Sequence, residues 1–135
     1  MKIPSMAQLE SIAKCYGLRL IVLFGSQVTG RTHPESDVDV AVLARRPLVT
    51  EQRNRLWMEI SDAFQAEVDL AVLNHGEPLL LYQVARTGKP LYEDERWAWA
   101  EFTSYAYRYY EYTRKFRDDL ARYLKREIHE THHVG

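Results

Sequence analysis

A single cysteine, Cys15, occurs in the 135 residues, so no internal disulfide can form. That usage suits a reducing compartment. With Ile12 and Tyr16 near it at helical spacing and no histidine close in sequence, Cys15 reads as a small buried thiol, not a nucleophile. Long hydrophobic runs are also missing. Nothing approaches the roughly 20 apolar residues that a bilayer-spanning helix needs, and Met1 to Pro4 lead into a polar helix without an apolar leader. The expected location is the cytoplasm. Charge of one sign is lacking too: 18 Lys and Arg against 19 Asp and Glu give a net −1, which removes any global attraction to nucleic acid or membrane surfaces. No low-complexity tract or linker divides the chain. One domain over 1–135 is expected, with a core over about 5–92 and a C-terminal helix over about 95–127.

What is present has clear periodicity. Ser5 and Gln8 form a capping-box pattern, Met6, Leu9, Ile12 and Tyr16 recur at helical spacing, and Gly17 suits the stop, so 5–16 is predicted helical. Leu18 to Phe24 is almost wholly apolar and reads as a buried strand, and Ser26 to Gly30 is short enough for one helical turn. Asp37 to Leu43 forms a second strand. Thr50 is expected to cap a helix over 51–64 that buries Leu56, Trp57, Ile60 and Phe64. Glu67 to Leu73 is a third strand; Pro78 and Gly88 bracket a short helix through Leu80, Leu81, Val84 and Ala85; Lys89 to Tyr92 adds an edge strand. From Glu95 to Glu127 no glycine or proline interrupts a stripe of Phe102, Tyr105, Tyr109, Tyr112, Phe116, Leu120 and Tyr123.

Two segments echo one another. Residues 36–43 and 66–73 are near copies that put Asp39 and Asp69 at equivalent points of two strands. Asp37 and Asp39, two apart on a strand, leave the same face. Like charges this close repel, so the pair calls for a cation, and magnesium suits hard carboxylate oxygens while leaving positions open for phosphates. With Asp69 added, three carboxylates can hold two metal ions around a phosphorus centre. Gly25-Ser26, between a strand and a helical turn, supplies the other half: backbone N–H groups and a hydroxyl that can cradle phosphate, with Arg31 adding positive charge. Each part alone is common, since Gly-Ser is usually a turn and Asp-x-Asp a solvated strand end. The ordered combination is specific.

Gly25-Ser26, ten residues, then Asp37-Val38-Asp39 resembles the signature of the polymerase-beta-like nucleotidyltransferase superfamily. The string GSQVTGRTHPESDVDVAV is similar to its minimal nucleotidyltransferase branch, which often has Gly-Arg and Ser-Asp where Gly30-Arg31 and Ser36-Asp37 stand, and the match extends over about 18–92. The resemblance implies an α/β fold: a small mixed sheet with helices on one side, a long C-terminal helix, and the site on the exposed face. It implies ATP with Mg2+ as donor, Asp37, Asp39 and Asp69 as metal-binding catalytic residues, and Gly25, Ser26, Arg31 and Ser36 at the nucleotide. It also implies an acceptor. Small members of this type are commonly antitoxins that adenylylate a tyrosine of a HEPN-domain ribonuclease toxin. A small-molecule nucleotidyltransferase of aminoglycoside-modifying kind and an antitoxin acting by binding alone are the rival readings.

The C-terminal helix favours a protein partner. Tyr105, Tyr107, Tyr109, Tyr110, Tyr112 and Tyr123, with Trp97 and Trp99, cover more than one helical face, and a second buried surface accounts for that better than a core alone. Interleaved basic residues such as Arg114, Lys115 and Arg117 could bind RNA, but Asp118 and Asp119 dilute the case. His129, His132 and His133 read as a solvated tail sooner than a metal site, His33 as a surface loop residue, and Arg86 and Lys89 are left open between nucleotide and solvent.

Overall fold

The computed structural model describes residues 1–25 and 38–133, with side chains as far as residue 129. Helix α1 (Met6–Tyr16) starts on the predicted capping box: Ser5 Oγ accepts the Gln8 N–H at 3.2 Å and Gln8 Oε1 accepts the Ser5 N–H at 2.9 Å. Gly17 ends it in the left-handed region, φ 65°. Its buried stripe is Leu9 and Ala13, with Ile12 and Tyr16 partly covered. Met6 and Cys15 lie off that stripe and are exposed, which corrects the reading of Cys15 as a buried thiol.

Strands β1 (Leu18–Phe24), β2 (Val38–Ala44), β3 (Val68–Val72) and β4 (Lys89–Glu93) form one mixed sheet in the order β3-β2-β1-β4. The β1–β2 and β1–β4 pairs are antiparallel; β2–β3 is parallel. A parallel neighbour needs a crossover, and helix α2 (Thr50–Phe64) supplies it. Thr50 proves to be its first residue and Val49 the cap, because Gln52 Oε1 takes the Val49 N–H at 3.1 Å. Alternation then divides the core. Ile21, Leu23, Val38, Val40 and Val42 face α1 and α2, meeting Leu9, Leu56, Ile60 and Phe64. Leu20, Val22 and Ala41 face the other way.

That second face carries helix α3 (Pro78–Thr87) and the first turns of helix α4 (Ala98–His133), through Leu81, Val84, Ala85, Ala98, Phe102 and Ala106. The expectation of helices on one side plus a long C-terminal helix thus holds for α1 and α2, while α3 joins α4 on the opposite face. Gly88 makes this possible. A Cβ there would lie 2.7 Å from Val22 Cγ1 and 2.9 Å from the Trp99 ring. Trp99 thus packs at the end of α3, whereas Tyr107 and Tyr110 contact Tyr82 earlier in it, with ring centroids 5.7 and 4.1 Å away. The two helices therefore run antiparallel, and α4 continues beyond the start of α3.

Two sequence expectations change at the edges. Trp57 is 45% exposed, off the buried face of α2. Its indole N–H donates to Val68 O at 2.7 Å, and one turn earlier Arg53 donates to Leu70 O at 3.5 Å. These carbonyls lie on edge strand β3, so α2 blunts an open sheet edge. Helix α4 starts at Ala98, where Glu93 Oε1 accepts the Trp99 N–H at 2.7 Å. It runs to His133, past the expected end near Glu127.

Candidate active site

Residues 26–37 lie outside the described residues, and with them the predicted turn over 26–30, Ser26, Arg31, His33, Ser36 and Asp37. Gly25, Asp39 and Asp69 are described, and the fold brings them together. The parallel β2–β3 register pairs Asp39 directly with Asp69, and the antiparallel β1–β2 register pairs Asp39 with Phe24, next to Gly25. The echo in sequence thus becomes two aspartates on neighbouring strands, about 4.8 Å apart at the backbone. Both share the alternation of Ala41 and Ala71, whose side chains join the α3–α4 layer. On that face Asp39 is half-buried and Asp69 exposed. The face expected to be exposed therefore carries α3 and α4 over Ala41 and Ala71, while Asp69, nearer the start of β3, is exposed.

Gly25 is there for two reasons. Its φ of 77° lies in the left-handed region, and a Cβ on it would collide with the Asp39 carboxylate. Its N–H donates to Thr87 Oγ1 at 3.4 Å. The amide at the head of the expected phosphate cradle thus meets a protein hydroxyl. Lys89 is set aside from the carboxylates by register, since it pairs with Leu23, whose side chain faces α1 and α2. Arg86 is exposed in the last turn of α3, one residue from Thr87.

The carboxylates differ in company. At the far end of the sheet Asp94 is nearly buried and pairs with Arg45 at 2.9 Å and Arg19 at 3.6 Å, a cross-strand clamp. Among the described residues no lysine, arginine or histidine forms an ion pair with Asp69. Two hard oxygen donors in register, one open to solvent, suit a magnesium ion that keeps sites for phosphate. No group of three His, Cys, Asp or Glu gathers among the described residues. Thr87 was missed by sequence reasoning; nothing in its local pattern signals a contact 62 residues away.

The chain has relatives in sequence and in fold. Residues 7–96 match the family model described as polymerase beta, nucleotidyltransferase. A protein adenylyltransferase MntA of Aphanizomenon flos-aquae (strain 2012/KM1/D3) is 34% identical over 108 residues, covering 69% of this chain and 72% of that protein. A crystal structure of a toxin–antitoxin with AMP-PNP superposes with a TM-score of 0.75 at 27% identity, covering 88% of this chain and 97% of the other. The MNT antitoxin in complex with a tri-AMPylated Shewanella oneidensis HEPN toxin superposes with a TM-score of 0.69 at 25% identity, over 88% of this chain and 94% of that one. The chain belongs to the polymerase beta nucleotidyltransferase family, among the protein adenylyltransferases of MntA type.

Proposed function

We propose that this protein is a cytoplasmic antitoxin that transfers AMP from ATP to a tyrosine of a cognate HEPN toxin and so inactivates it. The observation that carries the reading is the in-register pair Asp39 and Asp69 with Gly25 packed against Asp39. We assign Asp39 and Asp69, with Asp37, to the binding of Mg2+, two ions in all, and Gly25, Ser26, Arg31 and Ser36 to the nucleotide. Bound Mg2+ supplies charge neutralisation on the triphosphate. The tyrosine hydroxyl attacks the α-phosphorus: a new P–O bond forms, the bond to the bridging oxygen breaks, and pyrophosphate leaves with the electron pair. The hydroxyl proton goes to Asp69, whose exposure supports that role. Catalysis is then mostly positioning and charge stabilisation.

We assign toxin docking to α4. Beyond Tyr110 the helix carries Tyr112, Phe116, Leu120, Tyr123, Leu124 and Ile128 exposed, Tyr112 to 85% and Phe116 to 70%. Their spacing makes one stripe, and aromatic rings exposed at that density are the kind of surface that a partner buries. The test incubates the protein with labelled ATP, Mg2+ and the HEPN toxin encoded beside it, then reads intact mass. One or more AMP units on the toxin, lost in Asp39→Asn and Asp69→Asn, is the expected result. Phe116→Glu should lose capture of the toxin while keeping nucleotide binding. Modification that persists in Asp39→Asn refutes the carboxylate assignment.

A further inference from the structure

Thr87 does more than end a helix. Its hydroxyl donates back to Gln83 O at 2.8 Å, an ordinary use of threonine in a last turn. With that proton committed, the oxygen's lone pairs remain, and one accepts the Gly25 N–H from the turn after β1. Gly25 is thus held from two sides, by Thr87 at its nitrogen and by the Asp39 carboxylate against its Cα. The grip is stiff at the Thr87 end. Gly88, the next residue, is crowded by Val22 and Trp99, so the end of α3 has little room to shift.

We propose that Thr87 is a positioning residue for nucleotide binding: by holding the Gly25 amide it fixes Gly25 beside the Asp39 carboxylate. The inference rests on the nucleotidyl-transfer reading. It deepens that reading, because it names what holds Gly25, a residue assigned to the nucleotide, in its place beside Asp39.

Two variants test it. Thr87→Val removes the hydroxyl at nearly constant shape, and Thr87→Ser restores it. The probes are AMP-PNP with Mg2+, titrated calorimetrically, and the amide signal and hydrogen exchange of Gly25 in the nucleotide-free protein. Loss of one such bond should weaken AMP-PNP binding about fivefold in Thr87→Val, with Gly25 exchanging faster. Thr87→Ser should recover both, and melting temperatures should not track the binding loss. Equal binding by wild type and Thr87→Val overturns the proposal, even where the Gly25 signal moves. Should wild type fail to bind AMP-PNP at all, the nucleotidyl-transfer reading fails; an unchanged Gly25 signal in Thr87→Val would then reject the Thr87 contact on its own.

Discussion

Replacing Asp69 by asparagine should stabilise the metal-free protein and remove most of its response to magnesium. Asp39 and Asp69 are register partners on parallel strands, so their backbones are neighbours, and the strand spacing of about 5 Å sets the scale for the charge separation. Coulomb repulsion between unit charges at that distance is about 0.8 kcal/mol in water and about 3 kcal/mol at an effective dielectric of 20. Asp69 is exposed, so the aqueous limit governs and about 1 kcal/mol is the appropriate figure. For a chain of this length that corresponds to roughly 3–5 °C in Tm. The assay is thermal unfolding in EDTA at low ionic strength, repeated at rising NaCl and then with MgCl2. Asp69→Asn should melt above wild type in EDTA, and the gap should narrow as NaCl rises toward 1 M, where the Debye length of about 3 Å falls below the separation. Magnesium should raise the wild-type Tm through ligand linkage and move the variant much less. An Asp69→Asn protein that melts at or below wild type in EDTA, and gains as much from magnesium, refutes the view that these carboxylates form one cation site.

Gly25→Ala should destabilise by about 1–3 kcal/mol, from a left-handed φ and a Cβ driven into the Asp39 carboxylate; urea unfolding measures the loss, and AMP-PNP binding should fall with it. Trp57→Phe keeps the ring but removes the indole donor from Val68 O on the open edge of β3, costing about 1 kcal/mol in urea unfolding. Amide exchange should rise in β3 sooner than in β1, which has strands on both sides.

Much of this protein was legible because its signals are local. A serine and a glutamine three apart satisfy one helix start, an apolar run between Gly17 and Gly25 can only be a covered strand, and two near-identical octets announce equivalent strands. Strand periodicity likewise puts Asp39 on one face with Ala41 and Asp69 on one face with Ala71, while the spacing from Gly25-Ser26 to Asp39 spoke through its resemblance to a family signature. Where local pattern misled, the cause lay in partners distant along the chain. Trp57 matched the buried face of α2 by spacing, yet a sheet edge with open carbonyls drew its indole outward. Cys15 looked buried because its neighbours were, but the α1 stripe passes beside it.

By itself, then, the sequence determined most of the elements, their order and the placing of Asp39 and Asp69 at equivalent points of two strands, because these follow from side-chain period and capping within a few residues. Only the tertiary structure decided that β2 and β3 run parallel so that Asp39 meets Asp69, that α3 crosses the second face of the sheet, and that Thr87 reaches Gly25. Those depend on how strands pair and helices pack over long separations, a choice made by the burial of whole faces and not by any local run of residues.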